Sequence, residues 1–204
     1  MTIKTAGAVA MLLVVVSAAH ANSGSKRDRA IAEIQRLGGT VELDETRRNK
    51  PIVKVDLHGT KVTDTDLAIL KDLKELRVLD LRLTSVGDAG VANLKNLKNL
   101  QLLNLFRSQL TDAGLVHLRN LKKLETLLIG GTKVTDAGLI NLSKMKELKK
   151  LSLFQTQVSD GGIQFLKVLP KLETLLISGS RITDAGSKEL QRALPKVRFT
   201  ETMT

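Results

Sequence analysis

The hydrophobic positions of this chain recur with a period of 24 residues. The alternation at the end of a Leu-x-x-Leu-x-Leu phrase predicts a short strand with one buried face. Leucines three residues apart downstream, as at Leu115, Leu118 and Leu121, predict one face of a short helix. Only stacked strand–turn–helix units can bury these side chains. The phrase occurs at Leu76/Leu79/Leu81, Leu100/Leu103/Leu105, Leu124/Leu127/Ile129, Leu148/Leu151/Leu153 and Leu172/Leu175/Ile177.

Two columns of polar residues follow the same period. An aspartate opens each predicted helix, where a carboxylate can accept from free amides and complement the helix dipole. Calcium binding is the alternative, but a spacing of about 4.8 Å would leave each carboxylate without neighbouring oxygen ligands. A hydroxyl residue at each strand exit can satisfy backbone groups of the turn. The columns are Asp64, Asp88, Asp112, Asp136, Asp160 and Asp184, and Thr60, Thr84, Ser108, Thr132, Thr156 and Ser180.

These motifs resemble the leucine-rich-repeat family, whose signature is Leu-x-x-Leu-x-Leu followed by a polar turn residue. The subtype is similar to the Thr-x-Val-Thr-Asp-x-Gly-Leu repeat of many exported bacterial proteins and to the repeats of F-box-type proteins. The resemblance covers about Val53 to Phe199. It implies an α/β fold, a right-handed solenoid shaped like ribonuclease inhibitor. Its parallel sheet would line the concave face and short helices the convex face. The family usually has Asn or Cys where this chain has Thr or Ser.

The first 21 residues have the layout of a secretory signal peptide. Lys4 precedes a short apolar run, and Ala19 and Ala21 form an Ala-x-Ala end. The run is shorter than the roughly 20 residues that span a bilayer. We therefore expect cleavage near Ala21 and a periplasmic, cell-surface or secreted protein. The alternative is a membrane anchor formed by the uncleaved segment.

The rest of the chain divides into a cap, an array and a tail. Residues 22–50 lack the repeat and predict an N-terminal cap, with a helix at Ala30–Leu37 and strands around a polar turn. Residues 51–199 form six repeats plus a final strand, and residues 200–204 a polar tail. Leu194-Pro195 echoes Leu169-Pro170 at a spacing of 25 instead of 24. A cap is expected because an open solenoid end would expose the core.

Composition removes most catalytic chemistry. The chain has no Cys, which excludes thiolate metal sites and cysteine nucleophiles. Asp56 and His58 fall on one strand face, but no nucleophile or phosphate loop accompanies this acid–base pair. We therefore expect a protein that is not an enzyme and has no metal or cofactor.

The concave face carries the candidate binding site. Residues between the buried leucines point away from the core, and on the third to sixth repeats many of them are apolar. An exposed apolar cluster of this kind typically marks a protein interface; self-association is the alternative. The predicted site residues are Leu102, Phe106, Leu128, Phe154 and Leu176, with Arg82 and Lys150 at the rim.

A net charge of +11 suggests a second candidate surface. Cations recur where each helix returns to the next strand, and such a stripe can attract an anionic polymer or a membrane surface. Nucleic acid is disfavoured because no stacking aromatics lie beside the stripe. The residues, called the lysine edge below, are Lys71, Lys74, Lys95, Lys98, Arg119, Lys122, Lys146 and Lys167.

We expect the protein that accumulates in its own host to begin at Asn22. N-terminal sequencing of the purified protein measures this directly, because cleavage after Ala21 exposes a new amino terminus. A sequence that starts within residues 1–5 would contradict cleavage and favour the anchor.

Overall fold

The computed structural model describes residues 25–200, so the predicted signal segment and residues 201–204 lie outside the described part. Eight strands form one sheet in chain order. The first two strands pair antiparallel and all later neighbours pair parallel. The strands are β1 Thr40–Leu43, β2 Ile52–Asp56, β3 Val78–Asp80, β4 Leu102–Asn104, β5 Thr126–Leu128, β6 Lys150–Ser152, β7 Thr174–Leu176 and β8 Arg198–Phe199.

The parallel strands keep a register of 24 residues. Val55 pairs with Leu79, Leu79 with Leu103, and the sequence continues to Leu175 paired with Phe199. Residues one period apart therefore lie side by side on neighbouring strands. The predicted stacking of strand–turn–helix units is confirmed.

The helical half of each repeat is short and varies between α and 3-10 geometry. One repeat has a continuous α-helix of seven residues, whereas the first repeat has a 3-10 helix at Asp66–Asp72. The α-helices of the array are α2 Asp88–Val91, α3 Asp112–Leu118, α4 Asp136–Leu139, α5 Ile163–Leu166 and α6 Asp184–Ala193, and further 3-10 helices are Ala92–Leu94, Ile140–Lys144 and Asp160–Gly162. A 24-residue unit leaves room for only about two helical turns after its strand and loops.

The N-terminal cap consists of α1, Lys26–Arg36, and strand β1. The helix begins four residues before the predicted start because Ser25 and Asp28 form a capping box. Ile31 and Ile34 of α1 are buried, and β1 pairs with the outer edge of β2. The cap thus covers the first strand of the array.

The core is a stack of aliphatic columns. Seven positions of each repeat point inward and are filled almost entirely by Leu, Val and Ile. The third repeat shows the set, and all seven of its members are fully buried: Leu100, Leu103, Leu105, Leu110, Leu115, Leu118 and Leu121. Burying each such side chain contributes about 1.5–3 kcal/mol, so stacking provides the main driving force of the fold.

The aspartate column bonds across repeats, which corrects the sequence interpretation of helix capping. In the third to sixth repeats the side chain that caps the helix is the Thr or Ser before the aspartate: Thr111 Oγ1, for example, accepts from the Ala113 amide. The Asp112 carboxylate instead accepts from the Thr135 amide (2.8 Å) and hydroxyl (2.6 Å) at the next helix start. We call this series of bonds the aspartate ladder. It links Asp88 to Thr111, Asp112 to Thr135, Asp136 to Ser159 and Asp160 to Thr183.

A glycine column gives the ladder its space. A Cβ at Gly138 would lie 2.3 Å from Asp112 Oδ1, and one at Gly186 would lie 2.0 Å from Asp160 Oδ1. Any larger residue would push the carboxylate away from the following helix. The Thr-Asp-x-Gly motif therefore provides the acceptor, which is the Asp carboxylate, and its two donors, which are the Thr amide and hydroxyl. The glycine leaves the space that the carboxylate occupies.

The first repeat has no glycine in this column, and its position at the start of the array explains the difference. No aspartate precedes Thr63 by one repeat, and Asp66 stands where later repeats have glycine. The Asp66 carboxylate accepts from both the Thr63 amide (2.8 Å) and hydroxyl (2.7 Å). These bonds, led by that of the Thr63 hydroxyl, lower the pKa of Asp66. One residue of the repeat itself thus replaces the missing neighbour.

Five of the six residues of the hydroxyl column bond to the backbone of their own turn. Thr84 Oγ1 donates to the Leu81 carbonyl and Thr132 Oγ1 to the Ile129 carbonyl, each three residues earlier. Thr60 and Thr156 do the same. Ser108 Oγ is buried and has no hydrogen-bond partner among residues 25–200. The hydroxyls therefore close turns, as expected, while the aspartates connect the repeats.

The extra residue near the C-terminus does not disturb the sheet. Helix α6 is ten residues long, so Val197 falls 25 residues after its counterpart Leu172. The approach from Val197 to β8 is one residue shorter in compensation, and Leu175 still pairs with Phe199. A separate observation concerns membranes: among residues 25–200, none of the helices combines the length and the hydropathy of a membrane-spanning segment.

Replacing Asp136 by Ala should lower the free energy of unfolding by about 2–3 kcal/mol, because Ser159 loses two bonds to a charged acceptor. Urea unfolding followed by circular dichroism measures this, since the chain has neither Trp nor Tyr.

Asp184→Ala is the matched control for that change. Asp184 stands in the same column but has no repeat after it in the described residues, so its loss should cost less than about 1 kcal/mol. Equal destabilisation by both substitutions would show that the aspartates act on their own helices.

Candidate functional site

The face of the sheet opposite the core, called the open face here, is built from three residues of each repeat. Within each strand the central residue is buried and its neighbours point outward, as at Leu103 between Leu102 and Asn104. The 24-residue register places equivalent residues side by side. The three rows are Lys54, Val78, Leu102, Thr126, Lys150 and Thr174; Asp56, Asp80, Asn104, Leu128, Ser152 and Leu176; and His58, Arg82, Phe106, Gly130, Phe154 and Ser178.

The charged residues of the first two strands pair with one another. Lys54 Nζ lies 2.5 Å from Glu42 Oε1 of β1. His58 Nδ1 lies 2.7 Å from Asp56 Oδ1, which confirms that this acid–base pair shares a face. Arg82 Nε lies 3.4 Å from Asp80 Oδ2. This part of the open face is therefore largely neutralised internally.

The Asp56 carboxylate is fixed by backbone as well as side-chain bonds. Burial raises the pKa of Asp56, but the His58 amide and ring and the charges of His58 and Arg82 outweigh it and leave the pKa below its ordinary value. A carboxylate so held is an acceptor and not a proton donor. Among residues 25–200 no group of three or more His, Cys, Asp or Glu is placed to hold a metal ion.

Polar side chains of the middle row accept hydrogen bonds from the backbone just after the strands end. Asp80 Oδ1 accepts from the Arg82 amide at 3.0 Å, and Asn104 Oδ1 accepts from the Phe106 amide at 3.1 Å. Asn104 and Ser152 are buried. These polar side chains therefore serve the backbone of the exit turns, and the apolar residues remain as the exposed recognition groups of the later strands.

Phe106 and Phe154 meet on the open face although two repeats separate them. Their ring centroids are 6.3 Å apart with the planes tilted by 33°. Gly130 lies between them, and a Cβ there would be 3.1 Å from Phe154 Cβ. The Arg107 guanidinium carbon lies 5.2 Å from the Phe106 ring centroid, within reach of a cation–π interaction. This packed pair is the central feature of the apolar patch.

The predicted patch is smaller than the sequence indicated. Leu102, Phe106, Leu128 and Phe154 are half-buried, and Lys150 at the rim is half-buried as well. Leu176 was expected to be exposed, but only 5% of it is accessible. The pairing of β7 with β8 brings Thr200 beside it. Leu176 therefore belongs to the C-terminal closure of the array and not to the accessible patch.

The lysine edge lies where predicted, and its members are all exposed. In the described residues only Lys167 of this set is within ion-pair distance of a carboxylate, that of Glu189. Lys74 and Lys98 instead donate to carbonyls of their own 3-10 turns. Beside this edge, charge pairs link neighbouring repeats, such as Glu125–Lys149 at 2.7 Å. Part of the positive charge thus stabilises the stack locally.

The sequence did not predict that one residue in each exit turn adopts a left-handed conformation. One residue after each strand exit has a positive φ, and its amide donates to the next repeat, as from Leu83 to the Phe106 carbonyl at 2.8 Å. Glycine adopts this conformation freely, yet only half of the six positions have it. The column is Gly59, Leu83, Arg107, Gly131, Gln155 and Gly179. The 24-residue period was the available signal, since it aligns Leu83, Arg107 and Gln155 with the three glycines.

Exposed apolar residues also occur on the helical side. Val116 and Ile140, one repeat apart, are 39% and 55% exposed, and Val168 is 48% exposed. They do not form a packed aromatic cluster like that on the open face. A groove of about 1000 Å³ separates α1 from the first repeat, with Ile52, Ile69 and Leu73 among its lining residues.

Comparison with known proteins places the architecture. No family model matches the chain, and no curated protein matches it. An internalin from Listeria monocytogenes has a TM-score of 0.60 and 23% identity over 71% of this chain and 39% of its own. The leucine-rich-repeat ectodomain of a plant membrane receptor kinase from Arabidopsis thaliana, solved in complex with Casparian strip integrity factor 2, has a TM-score of 0.54 and 19% identity.

The alignment with the plant ectodomain covers 78% of this chain and 19% of that one. This chain therefore spans well under half of either solved protein. The fold is a leucine-rich-repeat solenoid, as the sequence resemblance implied, and these similarities establish the fold alone.

Leu83→Gly should raise the free energy of unfolding by up to about 1 kcal/mol. An L-residue in the left-handed region costs roughly 1–2 kcal/mol, which glycine avoids. About 0.5–1 kcal/mol of this gain is lost again, because glycine loses more chain entropy on folding. The Leu83 side chain is 50% exposed, so its removal takes away little packing. Urea unfolding measures the change. Leu81→Ala, at a fully buried site two residues away, should cost about 2–5 kcal/mol. A comparable loss in Leu83→Gly would show that Leu83 is a packing residue.

Proposed function

We propose that this chain is a non-enzymatic module that binds a protein partner through the open face. The observation that carries the proposal is the Phe106–Phe154 pair, flanked by half-buried Leu102 and Leu128. Partly exposed aromatic groups fixed by packing lose little entropy on binding and are typical interface anchors. Arg82, Asp80 and Lys150 form the polar rim.

The dimensions of the sheet suit one modest partner. Seven parallel strands at about 4.8 Å spacing give a width of about 30 Å, which matches a standard interface. The plant ectodomain of similar fold was solved in complex with Casparian strip integrity factor 2, and this is consistent with a binding role for the present solenoid. The finer resemblance to repeats of exported bacterial proteins supports a partner outside the cytoplasm.

Attachment to an anionic polymer or a membrane surface through the lysine edge is the second candidate. It is favoured by eight exposed cations, of which one forms an ion pair within the described residues. Binding of this kind weakens steeply as salt rises, whereas apolar contacts change little. Salt dependence therefore separates the two proposals.

A pull-down tests the first proposal directly. The tagged chain, in the form in which its host accumulates it, is incubated with the exported fraction of that host at low and high salt. We expect a protein that stays bound in high salt and is lost with Phe106→Ser/Phe154→Ser, because both anchors are removed. Circular dichroism of the variant verifies that the solenoid still folds.

Val116→Ser/Ile140→Ser is the matched control, since it removes two more exposed apolar side chains from the helical side. It should leave capture unchanged. Unchanged capture by the phenylalanine variant would reject the open face. Capture of anionic polymer only at low salt would move the function to the lysine edge, and recovery of the chain itself would indicate self-association.

A further inference from the structure

The turns that leave the sheet carry positive charge and no acid. These turns are residues 58–61, 82–85, 106–109, 130–133, 154–157 and 178–181, and we call them together the exit edge. The aspartates that follow the first five turns are occupied by bonds to the next helix start, whereas Asp184, after the last turn, has no following repeat in the described residues. No Asp or Glu occurs within the exit edge itself. Its five cations, all exposed, are Lys61, Arg82, Arg107, Lys133 and Arg181.

These cations are largely available to a ligand. In the described residues Arg82 is the one with a carboxylate in range, Asp80 at 3.4 Å. The Arg181 guanidinium donates to the Gln157 side-chain oxygen, at 3.4 Å. Arg82 is thus paired within the open face, whereas Arg107 and Lys133 have no carboxylate within ion-pair distance in the described residues. The exit edge therefore keeps positive charge for an anionic partner.

Arg107 is held in place at this edge. Its φ is +55°, and its side chain crosses Gly131, where a Cβ would lie 2.7 Å from Arg107 Cγ. Gln155 crosses Gly179 in the same way, with a corresponding distance of 2.9 Å to Gln155 Cγ. Arg107 and Gln155 are thus each followed one repeat later by a glycine, and each of these two side chains lies over that next repeat. Strained residues retained where glycine would fit suggest a role in binding.

The ligand chemistry follows from what surrounds the cations. Side-chain amides, among them Gln109 and Gln155, lie between the charges and can bond peptide groups. The Phe106–Phe154 pair adjoins Arg107 and offers an apolar contact. A uniform polyanion would use neither feature and would find a denser row of cations on the lysine edge. A polypeptide that carries both carboxylates and apolar side chains uses all three.

We propose that the exit edge binds an acidic, extended segment of the protein partner, with Arg107 and Lys133 holding its carboxylates and an apolar side chain seated on the Phe106–Phe154 pair. The inference rests on the proposed function and specifies its partner. Six repeats at about 4.8 Å give an edge about 24 Å long, which accommodates about seven extended residues.

Synthetic peptides of about eight residues test this proposal. The first contains several Asp and Glu and one central Leu, the second replaces every acid by its amide, and the third replaces Leu by Ser. Each carries a fluorophore, and its binding to the full chain is followed by anisotropy at low and physiological salt. We expect the acidic Leu peptide to bind at least roughly tenfold more tightly than either analogue.

Charge variants locate the site. Arg107→Gln/Lys133→Gln should weaken binding of the acidic Leu peptide roughly tenfold or more. Lys98→Gln/Lys122→Gln removes the same net charge from the lysine edge and should change affinity less than about twofold, because net charge alone acts weakly at physiological salt.

Three results would overturn the inference. Equal binding of the amide analogue would remove the acid requirement while leaving protein binding through the open face intact. Equal weakening by both charge variants would reduce the effect to net charge. Single-stranded DNA or a sulfated polysaccharide that binds through Arg107 when no peptide does would assign the edge to a polyanion.

The phenylalanine variant keeps the two proposals distinguishable. If Phe106→Ser/Phe154→Ser leaves acidic-peptide binding unchanged while the charge variant abolishes it, the apolar seat is rejected, and the open-face site is decided separately by the pull-down. If it weakens the acidic Leu peptide to the level of the Ser analogue, the seat is supported.

Discussion

An aspartate carboxylate that reaches from each repeat to the helix start of the next couples the units on the side away from the sheet. The hydrogen-bonded ladder of parallel strands couples them on the other side, in the same 24-residue register. Asp112, for example, receives both the amide and the hydroxyl of Thr135. Aliphatic burial drives the stacking, but it has little directional preference. The hydrogen bonds to the aspartate carboxylates, for which the glycines leave space, fix the register of each repeat on the one before it.

This regularity makes recognition groups out of residues distant in sequence. Phe106 and Phe154 are 48 positions apart, yet they touch because Gly130 leaves the space between them empty. The exit turns come into line for the same reason, and the ladder occupies the aspartates that would otherwise lie beside their cations. The aspartate ladder that holds the repeats together thus also leaves the exit edge positively charged. Structure and proposed binding chemistry share one origin in the repeat.

The sequence predicted most of the architecture because period, spacing and apolar pattern are local properties. The strands, the core columns and the rows of the open face followed from them. The partner of each aspartate did not, because a carboxylate at a helix start can serve its own amides or those of a neighbour, and only the stacking geometry decides. The burial of Leu176 depended on the pairing of β7 with β8, and the left-handed conformation of Leu83 and Arg107 has no residue-type signature.

Methyl NMR of the chain during titration with its captured protein partner tests the central claim, that recognition occurs on the open face. The account predicts chemical-shift changes at the methyl groups of Leu102 and Leu128, which flank the phenylalanine pair. The methyl groups of Val116, Ile140 and Val168, exposed on the helical side, should remain unchanged. Shifts confined to those three residues, with Leu102 and Leu128 unaffected, would contradict the account and place the interface on the opposite side of the solenoid.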